Sequence, residues 1–211
     1  MLKFDFEDWG LIEYHQAWDK QKELVADVQA GNKKSTLVFC EHPSVITIGR
    51  SGSGDNVVIQ EKLLNMMGIS VVNIERGGDV TLHNPGQLVG YPIFNLANFK
   101  QDLHWFLREI EQCLIELVAE YGIISDRVAG MTGVWIDKQR KIAAMGMHCS
   151  RWVTSHGFAL NVNNNLLEFS YIVPCGIKGK EVTSIQIEAG RDIDFEELKS
   201  KLLNIFRKHF D

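Results

Sequence analysis

Apolar residues recur at helical spacing in three stretches of the chain. Tyr14, Ala17, Trp18, Leu24, Val25 and Val28 fall on one face of a first helix, and Gly31 with Asn32 supplies a stop. Leu103, Phe106, Leu107, Ile110, Leu114, Leu117, Val118 and Tyr121 form a longer stripe ending at Gly122. The last helix has Asp194 as N-cap, Glu197 three residues on, and Phe195, Leu198, Leu202, Ile205 and Phe206 turned inward. A shorter helix is predicted over residues 61–67, capped by Gly68. Between these lie strand-like runs at residues 36–40, 45–48, 69–74, 88–96, 134–136, 142–149, 153–162 and 182–187, with residues 137–140 as a hairpin turn.

The strands arrive in groups rather than in strict alternation with helices. That order predicts an α/β chain of α+β character, with a mixed, mostly antiparallel sheet flanked by helices. No internal repeat or linker divides the 211 residues, so one catalytic-size domain over residues 1–211 is expected. Hydrophobic residues make up 45% and charged residues 23%, which excludes a disordered or fibrous chain. No apolar run reaches the roughly 18 residues of a membrane helix, and the acidic start MLKFDFEDWG carries no secretory or transit signal. The formal charge of −5 argues against general nucleic-acid binding. Together these features predict a cytoplasmic protein with neither a membrane nor a nucleic-acid partner.

Four cysteines, Cys40, Cys113, Cys149 and Cys175, lie far apart, which suits neither a disulfide framework nor a zinc ribbon. Cys40 and Cys113 read as small core residues, and Cys149 ends a strand. Cys175 stands between Pro174 and Gly176, where neither helix nor strand continues easily, and Lys178 and Lys180 nearby favour its ionised form. It reads either as a nucleophile or as an incidental loop cysteine. A basic partner is needed for the first reading. His42, His83, His148 and His156 show no HxH or HExxH spacing, so no metal site is expected, and each reads more simply as structural.

In KIAAMGMHC, strand alternation puts Lys141 on the face of Ala143, Met145, Met147 and Cys149. An amine there is partly desolvated, which moves a lysine toward a useful proton affinity. The alternative is a hairpin charge reaching into water beside Lys138 and Arg140. The stretch RGGDVTLHNPGQLVGYP, residues 76–92, places a glycine pair after a strand and can bring backbone N–H groups to a ligand, but is neither a P-loop nor a dinucleotide fingerprint.

Several blocks in order, EHPSVITIGR (41–50), RGGDVTLHNPGQLVGYPI (76–93), GVWI (133–136), KIAAMG (141–146), SRWVTSHGFALNV (150–162) and PCGI followed by VTS (174–184), resemble the lipoyl(octanoyl) transferase family. The resemblance implies the fold of the biotin- and lipoate-protein ligase catalytic domain. It implies an octanoyltransferase that moves an octanoyl group from octanoyl-acyl carrier protein to the lysine of lipoyl domains through a cysteine thioester, without cofactor or metal. The implied acceptors are the lipoyl domains of 2-oxoacid dehydrogenase complexes and the glycine cleavage H protein. Cys175 matches the family nucleophile and Lys141 the lysine that lowers its pKa. The implied substrate-binding positions are Arg76, Gly77, Gly78, Asp79, Val80, Thr81, Leu82 and His83, then Ala144, Met145 and Gly146, and finally Gly157, Phe158 and Ala159.

Three positions depart from the family pattern: Leu82 where Tyr is usual, Asn84 where Gly is usual and Ser44 where Pro is usual. Leu82 is expected beside the acyl pocket, where it bears on chain length; Asn84 is expected to substitute for Gly in a left-handed turn. From Lys138 to Lys180 there are six basic residues and one acidic residue, a segment that suits either an acidic carrier protein or plain solvation. The rival readings are an ATP-dependent lipoate or biotin ligase on the same scaffold and a non-catalytic carrier-binding module.

Overall fold

A computed structural model of the chain describes residues 2–52, 54–173 and 179–211. The order of elements is β1 (Phe4–Leu11), α1 (Tyr14–Ala30), β2 (Ser35–Glu41), β3 (Val45–Ile48), α2 (Glu61–Met66), β4 (Ser70–Asn73), β5 (Val80–His83), β6 (Gln87–Ile93), α3 (Leu103–Ala119), β7 (Asp126–Val128), β8 (Met131–Ile136), β9 (Arg140–Ser150), β10 (Val153–Asn161), β11 (Glu181–Val182), α4 (Ile185–Ala189) and α5 (Phe195–Phe210). Among the described residues no helix is long and apolar enough to cross a membrane.

The large sheet runs β1-β2-β6-β10-β9-β8-β7, with β11 added to β9, and the small sheet runs β4-β3-β5. Most pairings are antiparallel. The parallel ones are β1 with β2, β3 with β4 and β11 with β9. This is the mixed, mostly antiparallel sheet expected. Helices α3 and α5 cover one face of the large sheet, where Phe39, Leu88 and Phe158 meet Phe106, Leu114, Leu202 and Phe206. At one end of that layer Phe94, Phe106 and Phe210 pack pairwise with ring centroids 5.4–5.5 Å apart. Helix α1 covers the opposite face through Ala17, Leu24 and Val28 on Val38, Val89 and Tyr91. The small sheet has its own core, Ile46, Leu64, Val80, Leu82 and Phe169.

The three long helices form where the apolar stripes predict them, and Asp194 caps α5 by accepting from the Glu197 N–H. The hairpin turn also forms: Ile136 pairs with Arg140 across residues 137–139, with positive φ at Asp137 and Lys138 and the Gln139 N–H bonded to the Ile136 carbonyl.

Other expectations change. The run 182–187 is a two-residue strand and then a helix, because the Ser184 hydroxyl accepts from the Ile187 N–H and starts α4. The run 88–96 stops at Ile93, since the Asn95 side chain accepts from the Ala97 N–H and opens a tight turn. Strands β1, β5 and β7 are additions, and the run 69–74 shortens to Ser70–Asn73.

One buried charge ties α3 to the sheet. The Glu111 carboxylate is fully buried and accepts from the Gly133 N–H at 2.9 Å, from Arg127 Nε at 3.0 Å and from Arg108. Removing it strands a buried N–H and the inward faces of two guanidinium groups. We predict that Glu111→Ala lowers unfolding free energy by about 3 kcal/mol. Urea denaturation checks this, and a change below about 1 kcal/mol would contradict it.

Candidate active site

The two sheets meet at the turn that leads into β5. The Gly77 N–H donates to the Met147 carbonyl at 2.9 Å, fastening this turn to β9. The approach is close: a Cβ on Gly146 would lie 2.5 Å from the Gly77 carbonyl oxygen, so no side chain fits there. Arg76 is 8% exposed and turns its guanidinium into the small sheet, donating from Nε to Thr47 Oγ1 at 3.2 Å and from a terminal nitrogen to the Thr47 carbonyl at 2.7 Å. A buried cation held this way keeps the turn in one position.

Between the turn, β5, β9 and β10 lies a narrow cavity of about 50 Å³. Its lining includes Arg76, Gly78, Asp79, Val80, Thr81, His83, Ala144, Met145, Gly146, Gly157, Phe158 and Ala159. Three chain segments distant in sequence, all expected from the family blocks, therefore converge. The lining residues at the mouth, Gly78, Asp79, Thr81, Met145 and Gly146, are partly or fully exposed, whereas Tyr14, His83, Val89, Tyr91 and His156 at the inner end are buried. Sequence reasoning missed Tyr14, Val89, Tyr91 and His156 as lining. Tyr14 and the β6 run read as core, which they also are, and His156 read as structural.

Gly77 and Leu82 do not line the cavity. Strand β5 alternates, so Thr81 and His83 face the cavity while Leu82 is fully buried in the small-sheet core against Ile46 and Leu64. The expected place of Leu82 beside the pocket is thereby corrected to the core of the small sheet. Asn84 is corrected as well: it is not at positive φ, and its buried amide donates to the Asn165 carbonyl and the Glu168 carboxylate. Ser44 Oγ donates to the same carboxylate at 2.8 Å. Two of the three departures from the family pattern thus share one partner.

A smaller cavity of about 10 Å³ shares Thr81, Ala144 and Ala159 with the first and is lined further by Gln87, Lys141, Asn161, Phe169 and Val182. Lys141 is 7% exposed, with Nζ 4.7 Å from the centre of the Trp135 ring, so it is not a hairpin charge in water. Its face differs from the expected one. Val134 pairs with Ala143 and Trp135 with Lys141, so β9 carries one extra residue there. That bulge puts Ile142 and Ala143 together in the helix-covered core and turns Lys141 to the cavity side. Cys175 lies outside the described residues, as does the rest of 174–178. On either side of them, the Val173 N–H donates to the Asn56 carbonyl at 2.8 Å and the Thr183 N–H donates to the Lys141 carbonyl at 3.0 Å.

The inner end is held by neutral imidazoles. Gln87 Nε2 donates to Asn161 Oδ1 and the Leu82 carbonyl, so its Oε1 accepts from His83 Nδ1–H at 2.8 Å. His42 Nδ1–H donates to the Ile12 carbonyl, which leaves Nε2 to accept from the Tyr91 hydroxyl, both at 2.7 Å. Burial pushes His83 down to about 3, assisted by His42 and Arg76. Burial likewise takes His42 and His156 down to about 4. Among the described residues no group of three His, Cys, Asp or Glu is placed to hold a metal.

Residues 13–207 match the family model described as the lipoyl protein ligase A/B catalytic domain. The chain belongs to this family. It is 45% identical over 217 residues to an octanoyltransferase of Christiangramia forsetii, covering 95% of this chain and 93% of that one. In fold it is similar to a putative lipoate protein ligase of Thermoplasma acidophilum solved with bound lipoic acid, with a TM-score of 0.75, 14% identity and coverage of 99% and 86%. Biotin protein ligase of Aquifex aeolicus is a more remote match, with a TM-score of 0.54, 16% identity and coverage of 99% and 69%. The protein is an acyltransferase.

Two outcomes test this description of the site. Leu82→Ala should cost about 2–5 kcal/mol through the cavity it leaves, with no change in which acyl chains react; a changed acyl preference in the folded variant would contradict its placement. Histidines 42, 83 and 156 titrate lower folded than unfolded, so in the window below about 6.5 the unfolded chain binds more protons. Their contribution is present above pH 6.5 and is lost as pH falls toward 4. The melting temperature should therefore drop steeply between pH 6.5 and 4.5, and replacing His83 by Gln should flatten that slope. An unaltered slope would contradict a neutral, buried His83.

Proposed function

We propose that the chain transfers an octanoyl group from octanoyl-acyl carrier protein to the lysine of a lipoyl domain, with Cys175 as the covalent carrier and Lys141 as its basic partner. The observation that carries this reading is the apolar cavity between β5, β9 and β10, joined through Thr81, Ala144 and Ala159 to the small cavity at Lys141. An acyl tail needs the first and a thioester exchange needs a base beside the second. In the first half-reaction the Cys175 thiolate attacks the thioester carbonyl, the carbon–sulfur bond to phosphopantetheine breaks, and the departing thiolate takes up the proton that Lys141 received from Cys175. In the second, the uncharged lysine amine of the lipoyl domain attacks the acyl-enzyme. An amide forms, its proton passes to Lys141, and Cys175 leaves as thiolate. Thioester to amide is downhill, so no nucleotide is consumed. The acceptors would be lipoyl domains of 2-oxoacid dehydrogenase complexes and the glycine cleavage H protein.

The rival is adenylation chemistry, since a lipoate-protein ligase A bound with ATP shares the fold with a TM-score of 0.73. Intact-mass measurement separates the two. Octanoyl-carrier protein alone should add one hydroxylamine-labile octanoyl group, mapped to Cys175 and absent in Cys175→Ser. No adduct without ATP, or one on Cys149, would overturn the mechanism. Lys141→Ala should slow Cys175 alkylation near pH 7 and recover it at higher pH, because the thiol returns toward its ordinary value of about 8.5. A profile superimposable on wild type would remove Lys141 from that role.

A further inference from the structure

We infer that His156 is the stop that sets the length of acyl chain the cavity accepts. The inference rests on the acyl-transfer reading above and adds the residue that would read its substrate. At the inner end, Tyr91 and Val89 back onto the core under α1, and Tyr14 onto the cluster of Val45, Val72 and Ile74, so among the described residues packed side chains lie behind them. Behind His156 the situation differs. On its far side is a surface depression of about 330 Å³ lined by Trp18, Gln29, His148, Ser150 and Ser155. Among the described lining residues of the two spaces, only His156 belongs to both. The His156 ring therefore borders the cavity on one side and the outer depression on the other, with buried Gln21 beside it.

The backbone places that ring deliberately. His156 has φ +58 within β10, although its pairing with Met147 and that of Gly157 with Gly146 continue unbroken. A left-handed residue inside a strand turns its side chain off the regular alternation, a conformation histidine adopts only when its surroundings hold it. Here Gln21 of α1, itself buried, accepts the His156 N–H through Oε1 at 2.9 Å. Burial, Arg76 and His148 together keep the ring neutral, so the end of the cavity presents an uncharged surface to a terminal methyl group.

His156→Gly suits the test, because glycine takes this φ without strain and the substitution removes the whole barrier. His156→Asn shortens the side chain at a conformation asparagine also tolerates. Fatty acids from hexanoate to tetradecanoate would be titrated calorimetrically into wild type and both variants, and the matching acyl-carrier thioesters assayed for acyl-enzyme formation. Wild type should favour octanoate. His156→Gly should raise the dodecanoate-to-octanoate affinity ratio at least tenfold, with His156→Asn between the two. An unchanged ratio in either folded variant would overturn the inference. In wild type, the His156 ring resonances should shift on binding octanoate and not butyrate; equal shifts, or none, would also overturn it. Binding that follows this order while no thioester reacts would sink the transfer reading and leave the stop in place.

Discussion

The site depends on how closely two backbones can approach. The turn before β5 lies against β9 through the Gly77 N–H to Met147 carbonyl bond, and the absence of a side chain at Gly146 permits the contact. Moved apart by even a methyl group, the small sheet would no longer form one wall of the cavity and the large sheet the other. Arg76, at the cavity wall, adds rigidity by bonding its guanidinium to Thr47, so a buried, hydrogen-bonded cation fixes the turn. A comparable constraint acts within the large sheet, where a Cβ on Gly157 would stand 2.0 Å from the Gly90 carbonyl oxygen and push β10 from β6.

From this packing follows a division of labour between the two cavities. The smaller one, which shares Thr81, Ala144 and Ala159 with the larger, carries Lys141, buried over Trp135, with its carbonyl accepting from the Thr183 N–H. The inner end of the larger cavity carries two imidazoles, His83 and His156, with His42 behind them against Tyr91 and His83. Burial keeps all three neutral, and His42 and His83 each have their tautomer set by one carbonyl acceptor. Neutral rings of this kind are compatible with an alkyl chain, whereas charged ones would demand water. The polar work beneath the floor is done by Gln87, Asn161, Asn164 and Asn84, bonded to one another and, through Asn161, to the Thr183 carbonyl. That chain couples the cavity floor to the backbone that continues from the 174–178 segment.

Much of this was legible from residues alone. The stripes of α1, α3 and α5 and the Asp194 cap carry local signals strong enough to survive tertiary context. The three segments that line the cavity were legible as a group because long ordered blocks match a family, and the structure brings them together. What was not legible depends on register and on neighbours. A one-residue bulge, invisible in KIAAMG, moved Lys141 to the opposite face. Strand parity in VTLH took Leu82 into the small core, although it stands among pocket residues. The alternation of VTSIQI reads as a strand, yet Ser184 starts a helix there. The partnership of Ser44 and Asn84 on Glu168 joins residues far apart in the chain and has no local signature.

The transfer reading proposed above requires one apolar path from Lys141, between β5 and β10, to a closed end at His156. The most direct test is a crystal structure of the octanoylated protein. The acyl carbons should run from Cys175 past Ala144 and Ala159, with the terminal methyl group against His156 and the tyrosines 14 and 91. A second, open groove on the surface is lined by Leu166, Leu167, Phe169, Val182 and Ile187; density for the chain lying there instead would contradict this path.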